Sequence, residues 1–150
     1  MDQRLKAADV GLRYLSVAHR VRKTVDDRMA AQGLSLARTK VLQALDRSGA
    51  MHQAALATEL GFAARSVTQA LEGLERDGLV LRTQHPDDRR AKLVALTAAG
   101  TAALAAGTAA GAQTLHQIFG GLDYKRLASL NNLLDAVETS IADAAKVPSS

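Results

Sequence analysis

Cysteine is absent from these 150 residues, and with it go disulfides, thiolate metal ligands and thiol-based oxidant sensing. Tryptophan is absent too, and only Tyr14, Phe62, Phe119 and Tyr124 are aromatic. The core must therefore be built from Leu, Val and above all Ala, a composition that suits closely packed helices. No apolar run approaches the roughly 20 residues that span a bilayer. The N-terminus also lacks the basic start, apolar stretch and small-residue cleavage site of a secretion signal, so a soluble cytoplasmic protein with no membrane partner is expected.

Catalytic and metal-binding patterns are missing as well. No nucleophile with a base, paired carboxylates or phosphate-cradling loop is evident, and Gly100, Gly107 and Gly111 do not follow GxGxxG. His19, His52, His85 and His116 are scattered, with no HxxxH or HxxE pairing around them. We expect no enzyme, no cofactor and no metal site. What remains is a formal charge of +4, for which a polyanion is the simplest partner, because Lys and Arg gain affinity for phosphate by releasing its counterions.

Along the chain, Val10, Tyr14, Val17, Val21 and Val25 recur at helical spacing and predict a long amphipathic helix over 9–32. Gly33 stops it, and Ser35 caps a second helix through Leu36, Val41, Leu42 and Leu45 that closes at Ser48 and Gly49. A short helix over His52–Leu60 and a tight turn at Gly61 follow. From Ala64 to Asp77, Val67, Ala70, Leu71 and Leu74 form one apolar side and leave Arg65, Ser66, Thr68, Gln69, Glu72 and Arg76 on the other.

The period then changes to two residues over Leu79–Gln84 and again over Lys92–Leu96, which predicts a β-hairpin whose charged tip is the break from His85 to Arg90. Thr97 is placed to cap an Ala-rich helix running to about Phe119. Its three glycines each cost about 1 kcal/mol relative to Ala, so packing must hold it. Gly120 and Gly121 end it, and Asp123 caps a last helix carrying Leu127, Leu130, Leu133, Leu134, Val137 and Ile141, with Leu122 placed as a hydrophobic staple. The fold class expected is mainly α with a small β-hairpin wing.

Helix, helix, short helix, turn, polar-faced helix and hairpin follow each other in the order of a winged helix-turn-helix, whose second turn-motif helix enters the major groove. Arg65, Ser66, Thr68 and Gln69 lie near the N-terminal end of the polar-faced helix, where side chains can reach base edges and the helix dipole favours phosphate. Arg76 lies on the same face. Arg89 and Arg90 would project from the hairpin tip, Arg82 and Lys92 would touch phosphates, and Asp88 would orient an Arg by a charge-assisted hydrogen bond. Taken singly, the polar helix face and the charged turn are each better read as solvated surface.

Two segments in register decide between these readings. Leu74-Glu75-Arg76-Asp77-Gly78-Leu79-Val80, and Asp87-Asp88-Arg89-Arg90-Ala91-Lys92-Leu93-Val94-Ala95-Leu96-Thr97-Ala98-Ala99-Gly100, resemble the recognition-helix exit and wing of the MarR family of winged helix-turn-helix transcriptional regulators. The resemblance extends over the whole chain, 1–150. It implies a DNA-binding lobe over 35–97 and dimerisation helices over 9–32 and 98–146.

It implies, further, a nucleoid-associated homodimer on a pseudopalindromic double-stranded DNA operator, acting as a repressor, with Arg90 in the minor groove. A small aromatic or anionic effector would release it, and Arg13, His19, Arg20, Arg22 and Arg38 are the cations available for an effector pocket. The chain departs from the family pattern at Met51-His52, where Ser or Thr usually opens the short helix, and at Ala63, where a capping Ser is usual. Two alternatives belong to other classes: a nonspecific architectural DNA-binding protein, and a helical dimerisation scaffold that does not bind DNA.

Overall fold

The computed structural model describes residues 4–146; of His85, Arg89, Arg90 and Ala91 it describes the backbone path only. The elements run α1 (Ala7–Ala31), α2 (Leu36–Ser48), β1 (Met51–His52), α3 (Gln53–Leu60), α4 (Ala64–Arg76), β2 (Val80–His85), β3 (Asp88–Leu96), α5 (Ala98–Phe119) and α6 (Tyr124–Ala145). Their contacts divide the chain into two compact units, residues 1–114 and 115–150.

Within the first unit, the capping residues do what the sequence asks of them. The Ser35 hydroxyl accepts from the Arg38 amide at 3.3 Å. Thr97 accepts from the Gly100 amide at 3.0 Å and donates to the Gly78 carbonyl at 2.7 Å. By contrast, α3 and α4 start at His52 and Ala63 with no side-chain cap, a loss of about 1 kcal/mol each that packing has to offset.

Gly61 and Gly78 take positive φ, and the amide of the residue after each reaches back to Ala57 and Leu74 respectively. Such left-handed stops let α3 turn tightly into α4, and α4 into the wing, at no steric cost to a residue without Cβ.

Leu42, Leu45, Leu56, Val67, Leu71, Leu74, Val80 and Val94 pack into one core shared by α2, α3, α4 and the sheet, with Leu34 and Leu104 at its edge. The three glycines of α5 are explained by close approach. A Cβ at Gly100 would run into the Leu79 carbonyl and at Gly107 into Leu34, and at Gly111 it would press closely on Met29. The packing that the sequence required of this helix is bought by leaving out the methyl groups.

The sheet is three-stranded and antiparallel, in the order β1-β3-β2. The two-residue β1, unexpected from sequence, pairs Met51 with Val94 and His52 with Leu93. The hairpin is also longer than the hydrophobic alternation indicates: β3 begins at Asp88 and only Pro86 and Asp87 form the turn. Arg89 and Arg90, expected at the tip, therefore sit on the strand. Backbone pairing tolerates polar residues where both faces meet water, so period-two hydrophobicity underestimates a strand there.

In the second unit, Asp123 accepts from the Arg126 amide at 2.8 Å and starts α6 as expected. None of the α6 side chains is buried: Leu133, Leu134, Val137 and Ile141 are all exposed. Elsewhere, the apolar stripe of α1 is buried only at its end, by Val25 and Met29, while Val10, Tyr14 and Val17 face outward. Among the described residues, no helix is long and apolar enough to cross a membrane.

Candidate nucleic-acid interface

Helix α4 presents two unlike faces. Val67, Leu71 and Leu74 are fully buried, and Arg65, Ser66, Gln69, Glu72 and Arg76 are exposed on the opposite side. Four of the five residues expected to contact DNA from this helix are thus on its open face. Thr68, the fifth, is half-buried and engaged within the protein: it accepts from Gln53 Nε2 at 2.7 Å and donates to the Ala64 carbonyl at 3.0 Å. Its hydroxyl has one proton, so it can offer an incoming base an acceptor but no donor.

Beside α4 stands the hairpin. Between them, Gln53, Thr68, Glu72, Arg82 and Lys92 line a groove of about 420 Å³. Lys92 is exposed on its rim, as a phosphate contact requires. Arg82 differs from expectation. Its Nε lies 2.9 Å from Glu75 Oε2 and its guanidinium also reaches Oε1 at 3.4 Å, with only 12% of the side chain exposed. It is a strut from β2 to α4. Asp88 is exposed at the start of β3. The side chains of Arg89 and Arg90 lie outside the described residues.

The Arg82 hydrogen bond holds the Glu75 carboxyl below the ordinary carboxylate range, and the Arg82 and Lys92 charges act in the same direction. A lowered folded-state value stabilises the fold fully above the ordinary range, and that stabilisation is lost as pH falls through the lowered value. The wing strut is therefore intact at neutral pH and fails only in acid. Replacing Arg82 with Ala is expected to return the Glu75 titration midpoint, followed by carboxyl carbon NMR, to the ordinary range.

Of the cations expected around an effector pocket, His19 and Arg22 line one groove of about 400 Å³, together with Lys23, Asp26 and the segment Ser35-Leu36-Ala37. Arg13 and Arg20 are exposed on α1 and are not among its lining residues. Arg38 is directed elsewhere: its Nη1 pairs with Asp77 Oδ2 at 2.9 Å, at the end of α4. Sequence reasoning missed Gln53, Gly73, Glu75 and Asp77, all of which hold the interface in shape. Their partners lie in other elements, Asp77 being 39 positions from Arg38, and no periodicity marks such pairs.

A short helix, a glycine turn, a helix with one open polar face and an adjoining hairpin define a winged helix-turn-helix protein. The model of the MarR family matches residues 34–92, and over that segment the chain is similar to the MarR family. Solved structures agree in fold. A probable transcriptional regulator from Pseudomonas aeruginosa is 26% identical with a TM-score of 0.68, over 85% of this chain and 96% of that one.

BpsR from Bordetella bronchiseptica, whose DNA binding is described as regulated by 6-hydroxynicotinic acid, is 25% identical with a TM-score of 0.68, over 87% of this chain and 98% of its own. A mutant MarR from E. coli complexed with operator DNA is 23% identical with a TM-score of 0.67, over 86% and 93% respectively.

Proposed function

We propose that this chain is a sequence-specific DNA-binding transcriptional regulator, a homodimeric repressor of a pseudopalindromic operator that a small aromatic or anionic effector releases. The observation that carries the reading is the open polar face of α4 beside the hairpin, in a fold shared with a relative solved on operator DNA. In this reading 35–97 is the DNA-binding lobe and 9–32 with 98–146 the dimerisation helices, and the protein works in the cytoplasm on the nucleoid.

Arg65, Ser66 and Gln69 read base edges, Thr68 accepts from them, and Arg76 and Lys92 meet phosphate. Arg90 enters the minor groove with Arg89 beside it, and Asp88 orients them. Arg82 supports the wing from behind. His19 and Arg22 supply the cationic wall for an effector such as the one described for BpsR.

Selection from a random duplex pool, followed by fluorescence anisotropy at two salt concentrations, tests the reading. The selected duplex is expected to bind about a thousandfold or more tighter than a scrambled one, and Arg90→Ala to weaken binding. Equal affinity for both duplexes would establish the architectural alternative, and binding to neither the scaffold.

A further inference from the structure

Helix α4 is held at two places by ion pairs to other elements. One is the Glu75–Arg82 strut. The other is Arg38, and its surroundings are unusual for a partly exposed ion pair. Its guanidinium lies against the bare backbone of Gly73, where a Cβ would collide with it, and pairs with Asp77 in the residue that follows α4. Exposed ion pairs contribute little to stability by themselves, but a rigid planar fork wedged against a helix and anchored at its end fixes where that helix lies.

The base of Arg38 is fixed just as closely. The Ser35 hydroxyl caps its amide, and the neighbouring Leu36 amide donates to Asp26 Oδ1 of α1 at 2.8 Å. Asp26, Ser35 and Leu36 are also walls of the α1–α2 groove. A continuous series of contacts thus runs from that groove, through the first turn of α2, to the last turn of the recognition helix.

We propose that Arg38 is a positioning residue for DNA readout, transmitting the placement of the first turn of α2 to α4 without touching DNA. The inference rests on the DNA-binding reading above. Because the groove shares that first turn, an anionic ligand that displaces it changes operator affinity through Arg38.

The test compares R38A, R38K, G73A and the R38A/G73A double variant on the selected duplex by anisotropy across a salt series, with folding checked by thermal melts. R38A is expected to weaken binding about tenfold, with the slope of affinity against salt unchanged. R38K, which keeps the charge but not the fork, should recover little. G73A leaves every charge in place and adds a better helix former, yet it should reproduce the loss by displacing the guanidinium. In the R38A background the same G73A change should cost nothing, because the space is then free.

A salt slope reduced by about one would make Arg38 a direct phosphate contact, and that would overturn the proposal. Losses that add in the double variant, or wild-type affinity for R38A, would overturn it equally. Amide hydrogen exchange at Arg76, Asp77 and Gly78 is expected to quicken in the R38A and G73A variants of the free protein. That readout needs no DNA, so unchanged exchange sinks the positioning role, whereas a wild-type protein without sequence preference sinks the DNA-binding reading.

Discussion

Leu71→Ala is expected to lower the unfolding free energy by about 2–5 kcal/mol, a fall in Tm of roughly 4–20 °C for a chain of this size. Leu71 is fully buried in the middle of α4, among residues of α2, α3 and the sheet that are themselves sealed from water. Truncation leaves a cavity that rigid neighbours cannot fill. Gln69→Ala, two residues away on the open face, should change stability by no more than about 0.5 kcal/mol while weakening the preference for the selected duplex. Thermal melts and anisotropy on the two variants separate the two faces of one helix, and a Leu71→Ala protein as stable as wild type would contradict the packing described here.

The second large effect is expected at the other end of the chain. Leu134 and Val137 are 37% and 47% exposed on α6, in a stripe continued by Ile141. Large apolar groups left open at helical spacing are what a two-fold partner would cover. The double substitution Leu134→Glu and Val137→Glu is expected to convert a dimer into a monomer by analytical ultracentrifugation. It should also weaken binding to a two-half-site duplex about a hundredfold or more, since joined half-site contacts gain that much over single ones. Affinity for an isolated half-site should stay the same. A variant that remains dimeric would place the interface elsewhere.

Much of this was legible in the residue order, and the reasons differ by element. Ser35, Thr97 and Asp123 announce helix starts because each supplies an oxygen to an amide three residues on, a purely local event. The polar face of α4 is legible for a similar reason, since helical period sorts its residues before any tertiary contact exists. Strand β1 was invisible because two residues show no period, and its partner Val94 lies far along the chain. The early start of β3 at Asp88 was hidden by its polarity.

Arg82 and Arg38 were recognised as cations but not as struts. Nothing local distinguishes an Arg that meets phosphate from one that meets Glu75 or Asp77; only the folded geometry brings those carboxylates within reach. Both readings respect the same charge count, yet they assign opposite consequences to the same substitution. Removing a phosphate contact lowers the salt dependence of binding, and removing a strut does not.

The hydroxyl of Thr97 leaves one more consequence. It joins Gly78 to the start of α5, while the Thr97 amide bonds to the Leu79 carbonyl at 3.1 Å, so the hairpin leaves and re-enters the lobe at a single point. Geometrically the wing is a closed appendage with a fixed root. Residues inserted in matched pairs on either side of Pro86 and Asp87 would extend its reach while preserving the pleat, the root and the pitch of the recognition helix. On the DNA-binding reading proposed above, how far along the duplex such a protein touches is therefore a length that evolution, or an engineer, can vary independently of which bases it reads.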